Sequence, residues 1–308
     1  MKILVTGATG FVGKPLVAAL RQQRHDVIAS GRAPQSIFSP DVAYFQMREI
    51  YAASDWASAL DGVDAVIHLA ARTHVVKEQA SDALALYRHI NVDGTRKLAE
   101  QAAAAGVKHF VFLSSIKVNG EGRATPYTET DPPAPEDAYG QTKMEAEKAL
   151  REIAATRDMS TIIIRPPLLY GKEAKGNFRS LIRAVTKGIP LPFASISNRR
   201  SLLFLGNLID VILLCLKQDL HGTHLFLVSD GIDLSTPDLV RHIAKAAGKP
   251  ARIFPVPALL LRLLARALGR SSAADRILGN LTINSSLIRE TLGWTPPYNV
   301  EQGMREIF

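Results

Sequence analysis

Tyr139 and Lys143 are the residues of this chain whose types and spacing most directly suggest chemistry. A helix brings residues i and i+4 onto one face, so the phenol and the ammonium would be neighbours. A phenol with a pKa of about 10 is a poor acid–base catalyst at neutral pH. A lysine one turn away favours the phenolate and lowers that pKa towards the operating pH. The pair therefore predicts an acid–base site on a helix.

Two serines, Ser114 and Ser115, end the strand-like run "HFVFLSS" at 109–115. Ligands of parallel α/β sheets bind at the carboxyl ends of the strands. A serine hydroxyl at that point can hold a carbonyl or hydroxyl of a substrate beside the tyrosine. On its own, a Tyr-x-x-x-Lys spacing is more typical of a surface helix pair. The serine strand end and a glycine-rich turn upstream favour the catalytic interpretation.

The glycine-rich turn reads "TGATGFVG" and directly follows the strand-like run "KILVT" at 2–6. Gly7 permits a tight turn, Gly10 lets a pyrophosphate approach the backbone, and Gly13 lets the next helix pack close to the sheet. The amino end of that helix then faces the phosphates. The spacing is Gly-x-x-Gly-x-x-Gly, and its strand–turn–helix context predicts a dinucleotide site.

The end of the second strand-like run, "DVIAS" at 26–30, bears on which dinucleotide is bound. An acidic residue there would bond the ribose 2′-hydroxyl of NAD. This chain has Gly31 and Arg32 instead, and a guanidinium suits a 2′-phosphate. Ser30 can add a hydroxyl donor. We therefore expect NADP(H), with NAD(H) as the alternative if Arg32 is only a solvated loop residue.

Short apolar runs alternate with helix-like stretches through the first two thirds of the chain, which indicates a doubly wound α/β fold with a parallel sheet. The strand-like runs are 2–6, 26–30, 64–70, 109–115, 160–165 and 224–229, and the helical patterns lie near 11–24, 55–60, 93–106 and 139–156. Loop-rich sequence after Pro166 predicts a smaller C-terminal substrate lobe. We assign 1–165 plus 201–235 to the dinucleotide-binding domain, and 166–200 plus 236–308 to the lobe.

Composition limits the class of protein. The 308 residues are 47% hydrophobic and 21% charged, which suits a globular chain large enough for a sizeable core. A single cysteine, Cys215, excludes an internal disulfide and suits the reducing cytoplasm. The N-terminal run predicts no signal peptide. The net charge of +8 is spread along the chain, which argues against nucleic-acid binding.

The most apolar stretch is "VPALLLRLLARALGR" at 256–270. Arg262 and Arg266 interrupt it, and it is too short to span a bilayer. We expect an amphipathic helix packed in the core or the lobe, with peripheral membrane contact as the alternative.

Taken together, these motifs resemble the extended short-chain dehydrogenase/reductase family of nucleotide-sugar epimerases, dehydratases and reductases, which has a Rossmann fold. The resemblance covers essentially the whole chain. The motifs are "TGATGFVG", "VIHLAA" (66–71), "HINVDGT" (89–95), "FLSSIKVNG" (112–120), "YGQTK" (139–143) and "IIRPPLLYG" (163–171). The resemblance implies that Ser115, Tyr139 and Lys143 form the catalytic set.

The same resemblance implies two binding sites. Lys143 would also hold the nicotinamide ribose, and Asn91 would lie on the helix that supports the active site. Cofactor-binding residues are expected at Gly7, Thr9, Gly10, Phe11, Val12, Gly13, Ser30, Arg32, Glu49, Ile50, Leu69, Ala70, Ala71, Asn91, Tyr139, Lys143 and Pro166. Substrate-binding residues are expected at Thr73, Ser115, Ile116, Lys117, Asn177, Phe178, Arg200 and Arg276. Arg199 suits either a diphosphate contact or a solvated turn.

Departures from the family pattern narrow the activity. The 4,6-dehydratases of the family that this chain resembles carry an Asp-Glu pair, where this chain has Ile116 and Lys117. Epimerases usually have an acid at the end of the second strand, where this chain has Gly31-Arg32, and often an asparagine near Leu168. The sequence as a whole resembles the sequences of bacterial UDP-2-acetamido-2,6-dideoxy-hexulose 4-reductases.

We therefore expect NADPH-dependent reduction of a UDP-linked 4-keto sugar, a UDP-2-acetamido-2,6-dideoxy-4-keto-hexose, for surface polysaccharide synthesis. The alternative is a UDP-hexose 4-epimerase with tightly bound NAD. A third possibility, from another class, is a non-catalytic dinucleotide-sensing regulator, against which the intact Ser, Tyr and Lys set argues. The resemblance also implies a homodimer through the helices near 93–106 and 139–156, with no metal and no membrane insertion.

Overall fold

The computed structural model describes residues 1–34, 36–73, 83–174, 176–267, 269 and 271–308, with only the backbone of 271–273. Within these residues, the main feature is a parallel sheet of seven strands in the order β3-β2-β1-β4-β5-β6-β9. Its strands are β1 (Lys2–Thr6), β2 (Asp26–Gly31), β3 (Ala43–Gln46), β4 (Ala65–His68), β5 (His109–Leu113), β6 (Ser160–Arg165) and β9 (Thr223–Leu227). The predicted doubly wound Rossmann fold is confirmed, and each of the six predicted strands is present.

Helices cover both faces of this sheet, which is why its strands are continuous apolar runs. The helices are α1 (Gly13–Gln22), α2 (Ala57–Leu60), α3 (Ala83–Arg88), α4 (Gly94–Ala104), α5 (Ala138–Ala154) and α7 (Leu205–Cys215), and a π-helical turn, His89–Asp93, joins α3 to α4. One face packs on Leu16 of α1 and Val211 of α7. The other packs on Trp56, Leu98 and Leu150. The core therefore has two layers, one on each side of the sheet.

The helices that the homodimer prediction invoked pack closely within the chain. Ala99 and Ala102 of α4 are fully buried, in the same cluster as Leu150 of α5. The small-residue face of "KLAEQAAAAG" is therefore used inside the monomer.

A second, three-stranded sheet has the order β10-β8-β7. Its strands are β7 (Leu168–Tyr170), β8 (Arg200–Phe204) and β10 (Asp233–Leu234), and the helices near it and after it are α6 (Gly176–Thr186), α8 (Thr236–Ala246), α9 (Ala258–Ala267), α10 (Ser271–Leu278), α11 (Ser286–Leu292) and α12 (Val300–Arg305). From the segment 201–235, the large sheet takes only β9. The segment 201–235 thus contributes strands to both sheets, and the predicted division into domains stays a prediction.

Within the apolar stretch 256–270, Ala258–Ala267 form the predicted helix, α9, and of the two expected positions, core or lobe, the core position is wrong. None of the residues of α9 is buried. Leu259 is 70% exposed and Leu263 is 56% exposed. Among the described residues, no helix is both long enough and apolar enough to cross a membrane.

Candidate active site

The glycine turn between β1 and α1 leaves room for a phosphate. Gly7 has a φ of +66°, and a Cβ there would lie 2.8 Å from the backbone nitrogen of Ala70. A Cβ on Gly13 would lie 2.6 Å from the Cα of Ala8. A Cβ on Gly10 would meet only the Gly7 carbonyl, at 3.1 Å, within a 4 Å radius. The turn is thus closed by backbone at Gly7 and Gly13 and less crowded at Gly10, where a pyrophosphate could approach the backbone.

The end of β2 has no space for the acidic side chain typical of NAD enzymes at position 31. A Cβ on Gly31 would lie 2.8 Å from the hydroxyl of Tyr44 and 3.0 Å from Cγ2 of Thr9. The Tyr44 hydroxyl donates to the carbonyl of Ala33 at 2.9 Å. Arg32 is exposed at this edge. Its position therefore agrees with the predicted 2′-phosphate site and equally with a solvated residue.

Ser30, by contrast, is only 1% exposed. Its carbonyl accepts a hydrogen bond from the Ala8 nitrogen at 3.1 Å, which braces the glycine turn. The structure therefore places the Ser30 hydroxyl in the interior and not beside Arg32 at the surface.

A buried histidine, which the sequence analysis did not identify, fixes the end of β4. His68 Nδ1 lies 2.6 Å from Thr6 Oγ1, and His68 Nε2 lies 2.9 Å from Thr95 Oγ1. Burial lowers the pKa of His68 to about 3, so the ring is neutral. Thr6 Oγ1 also accepts from the Ala70 nitrogen at 3.3 Å. This chain of contacts holds Ala70 against Gly7, while Leu69 and Ala71 beside it are partly exposed.

Asn91 lies in the π-helical turn and is 1% exposed. Its side-chain oxygen accepts from the Arg72 nitrogen at 2.8 Å. Its amide nitrogen donates to the Arg72 carbonyl and to Thr142 Oγ1, each at 3.1 Å. Asn91 thus ties the loop after β4 to the helix α5, one residue before Lys143, as expected for a supporting residue.

Ile50, one of the expected cofactor-binding residues, lies beside α4. Ile50 packs so closely on Gly94 that a Cβ there would lie 2.9 Å from the Ile50 backbone carbon. The neighbouring side chain, Glu49, is exposed. Glu49 is therefore available to a ligand, while Ile50 mainly fixes the start of α4.

Helix α5 carries the proposed catalytic pair at its amino end. Asp137 caps the helix by accepting from the Gly140 nitrogen at 2.7 Å. The Lys143 ammonium lies 5.9 Å from the centre of the Tyr139 ring. It donates to the carbonyl of Leu113, the last residue of β5, at 2.8 Å. Tyrosine and lysine are therefore helical neighbours at the carboxyl edge of the sheet, as predicted.

The predicted lowering of the Tyr139 pKa by Lys143 is absent from the unliganded chain. Burial raises the pKa of Tyr139, and the nearby charge of Asp137 raises it further. Burial lowers the pKa of Lys143 to about 7, against the opposing effect of Glu147. A lysine that is only partly protonated at neutral pH stabilises a phenolate weakly, which accounts for the difference.

The two serines after β5 have different surroundings. Ser114 is 2% exposed, and its hydroxyl donates to Glu147 Oε1 at 2.5 Å. Ser115 is partly exposed, and its Oγ accepts from the Lys117 nitrogen at 3.3 Å. Ser115, and not Ser114, is therefore the serine available to a substrate.

A buried ion pair lies behind this catalytic edge. Arg165 and Glu147 have side chains that are each 3% exposed, and Arg165 Nε donates to Glu147 Oε1 at 2.8 Å. Arg165 Nη1 also donates to Asn119 Oδ1 at 2.9 Å. Arg165 ends β6, and Glu147 lies one helical turn after Lys143. The pair therefore joins β6 to α5 directly beneath the proposed catalytic residues.

Lys117, predicted to contact substrate, is held between two carboxylates. Its ammonium pairs with Glu121 at 2.6 Å and with Asp137, the residue that caps α5.

Ile116, the residue before Lys117, is 4% exposed and packs in a small apolar cluster with Leu281. The Ile116 nitrogen donates to the carbonyl of Pro166 at 3.0 Å. The side chain of Ile116 is therefore part of the core and not of a pocket wall.

Arg200 is close enough to Glu121 and Arg276 to feel the charge of both. Burial lowers the pKa of Arg200, Arg276 lowers it as a neighbouring cation, and Glu121 acts in the opposite direction. Arg200 also donates to the Gly279 carbonyl at 3.1 Å. Arg199 points away into a bridge with Asp233 at 3.1 Å and is 74% exposed. Arg200 and Arg276 therefore stay predicted substrate-binding residues whose charges are near each other, whereas Arg199 has a structural partner.

The remaining predicted substrate residues differ in exposure. Asn177, near the start of α6, is exposed. Phe178 is 2% exposed and lies 5.8 Å from the ring of Tyr170, so its side chain packs in the core of the smaller lobe. Thr73 is exposed at the end of a described segment, and its carbonyl accepts from the Tyr87 hydroxyl at 3.3 Å.

The parallel sheet, the glycine turn and the Ser115, Tyr139 and Lys143 cluster at one edge define a dinucleotide-dependent enzyme. Comparison with protein families identifies its group: residues 3–227 match the model of the NAD dependent epimerase/dehydratase family. The chain belongs to this family, as the sequence analysis expected. It is an extended short-chain dehydrogenase/reductase.

Two curated relatives extend over almost the whole chain. A UDP-glucose 4-epimerase of Vibrio cholerae is 43% identical over 99% of this chain and 93% of its own length. The N-acetyl-alpha-D-glucosaminyl-diphospho-ditrans,octacis-undecaprenol 4-epimerase of Escherichia coli O157:H7 is 28% identical over 98% of this chain and 92% of its own length.

Among solved structures, MoeE5 in complex with UDP-glucuronic acid and NAD is similar in fold. It superposes with a TM-score of 0.79 and is 25% identical, over 99% of this chain and 97% of its own. The glycine turn described above suits a dinucleotide, because it is least crowded at Gly10, where a pyrophosphate would approach.

Substitutions in the glycine turn separate cofactor binding from folding. We expect Gly10→Ala to leave the free energy of unfolding almost unchanged and to weaken NAD binding roughly tenfold or more, about 1.4 kcal/mol, because its methyl group occupies the phosphate space. Gly13→Ala is the matched comparison, and we expect it to lower stability because its methyl group meets backbone. Urea unfolding and calorimetric NAD titration check both. NAD binding by Gly10→Ala at the wild-type affinity would contradict the assigned phosphate position.

Breaking the buried ion pair tests its structural role. We expect Arg165→Met to lower the free energy of unfolding by about 3–5 kcal/mol, because it leaves Glu147 charged and buried without its partner. Combining it with Glu147→Leu should recover much of that loss. The surface pair of Arg96 and Glu152 is the control, and Arg96→Met should cost under about 1 kcal/mol. Equal losses for the two arginines in urea unfolding would refute the assignment.

Proposed function

We propose that this chain is a UDP-hexose 4-epimerase that keeps NAD bound through the reaction. The observation that carries the proposal is the 43% identity to the Vibrio cholerae UDP-glucose 4-epimerase over 99% of the chain. The NAD found in the MoeE5 structure supports the choice of dinucleotide. The NADPH-dependent 4-keto reductase, which the sequence favoured, becomes the alternative.

Each residue of the site has a proposed role in this reaction. Tyr139 takes the proton from the sugar 4-hydroxyl and later returns it, and Ser115 holds that oxygen by hydrogen bonding. Lys143, on the same helix, holds the cofactor ribose. Arg200 and Arg276 hold the diphosphate, whose charge suits two neighbouring guanidinium groups.

The hydride and the proton both balance in the proposed epimerisation. When bound, NAD supplies a reversible hydride acceptor, so a hydride that leaves C4 of the sugar can return to C4 from the opposite face. The hydroxyl proton leaves to Tyr139 and comes back to the same oxygen. No net oxidation occurs, so an external reductant is not consumed. A reductase would instead consume one NADPH for each sugar.

One observation favours the reductase alternative. Gly31 excludes an acidic side chain at the end of β2, and Arg32 is exposed beside it, where a 2′-phosphate would lie. This arrangement suits NADP better than NAD.

A homodimer and a cytoplasmic location remain predictions, as does a role in polysaccharide synthesis.

The first test removes the proposed acid–base group. We expect Tyr139→Phe to lower kcat by about 10²–10⁴-fold with UDP-glucose or UDP-N-acetylglucosamine, because the phenolic proton carrier is lost. Calorimetric NAD binding should persist. Tyr298→Phe, which alters a tyrosine that is 40% exposed in the second lobe, is the matched control. Unchanged turnover by Tyr139→Phe would contradict the role given to this residue.

The second test identifies the resident nucleotide. We expect the purified protein to release NAD or NADH on denaturation, and Arg32→Ala to leave that content unchanged, because an epimerase regenerates its cofactor in each cycle. Chromatography of the released nucleotide measures this. Arg24→Ala is a control for the lost charge. An empty protein that binds NADPH reversibly, with at least a tenfold loss in Arg32→Ala, would favour the reductase.

A further inference from the structure

Helix α9 presents a leucine face to the outside of the molecule. Leu259, Leu260, Leu263 and Leu264 are 70%, 47%, 56% and 52% exposed. These positions are spaced i, i+1, i+4 and i+5, and at about 100° per residue they form one continuous side of the helix. Scattered exposed leucines are ordinary, but four on one helical face are a contiguous apolar surface.

The opposite side of α9 is the one that the protein covers. Ala258, Leu261 and Ala265 are partly buried, and α9 packs against α10. Arg262 and Arg266, both exposed, lie along one edge of the leucine face, one turn apart. The helix is therefore covered on the side of Ala258, Leu261 and Ala265, and it carries its other four leucines and its two arginines outwards.

The charge of the surrounding sequence is of one sign. Residues 246–274 contain five lysines and arginines and no aspartate or glutamate. The five are Lys249, Arg252, Arg262, Arg266 and Arg270. The first acidic residue after this range is Asp275, on α10. A surface that combines exposed leucines with cations is complementary to a layer that is apolar within and anionic at its surface.

We propose that α9 is an interfacial helix that docks this enzyme on an anionic lipid bilayer. Its ten residues are about 15 Å long, which suits lying in the plane of a membrane surface and not crossing it. The leucine face enters the boundary between headgroups and acyl chains. Arg262 and Arg266 extend along the edge to reach the lipid phosphates.

A second copy of the chain is a poorer occupant of this face. A two-fold interface pairs the same patch with itself. Arg262 and Arg266 would then approach the same arginines of the other copy, and α9 carries no carboxylate to offset them. Like charges placed together disfavour such a contact, whereas anionic lipid favours it.

Vesicle sedimentation tests the proposal on the full chain. We expect binding to vesicles of phosphatidylcholine with one third phosphatidylglycerol, and at least tenfold weaker binding to phosphatidylcholine alone. Leu259→Asn combined with Leu263→Asn should lower binding to the anionic vesicles at least tenfold. Ile232→Asn with Leu287→Asn, which changes two other exposed apolar residues, should bind as the wild type does.

A second pair of double variants tests the contribution of the arginines to vesicle binding. Arg262→Gln with Arg266→Gln should weaken binding to anionic vesicles at least fivefold, while Arg151→Gln with Arg157→Gln, an equal change of charge on exposed residues of the other lobe, should not. Binding should also fall at high salt, because screening weakens surface attraction.

Three results would overturn the proposal. These are no sedimentation with anionic vesicles, equal loss in the leucine variant and its control, and a solution dimer that only the leucine variant abolishes. Thermal unfolding confirms that each variant is folded. The docking proposal does not rest on the epimerase proposal, because vesicle binding is measured without turnover.

Discussion

The buried ion pair of Glu147 and Arg165 is the contact on which the proposed active site depends. It joins the end of β6 to α5, and through the Ser114 hydroxyl it also joins the end of β5. Ser115, Tyr139 and Lys143 are carried by these elements. A buried pair of this kind adds little net stability, because removing both charges from water is costly. Its value here is that it fixes the direction of three elements whose ends must meet.

The same burial that orients the site also sets its protonation. Burial raises the pKa of Tyr139 and lowers that of Lys143 to about 7, so the free protein holds a neutral phenol. The proposed acid–base role of Tyr139 would require a positive charge beside the phenol, which Lys143 supplies only in part when its pKa is about 7.

Much of the fold was readable from the sequence because strands buried on both faces are continuous apolar runs between helical patterns. The short, partly exposed strand Ala43–Gln46 lacks that signal, and α7 is too uniformly apolar to show a helical period. The spacing of Tyr139 and Lys143 was readable because one helix carries both. The inward position of Phe178 and the role of Glu147 were not, because each depends on partners distant in the sequence.

The most direct test of the central claim follows deuterium at C4 of the sugar. Incubation of the purified enzyme with UDP-glucose deuterated at C4, without added cofactor, should give UDP-galactose that keeps the deuterium at C4, as measured by NMR. The same assay with UDP-N-acetylglucosamine covers the second candidate sugar. Failure of both interconversions, together with NADPH oxidation that depends on a UDP-4-keto sugar, would contradict the account and establish the reductase.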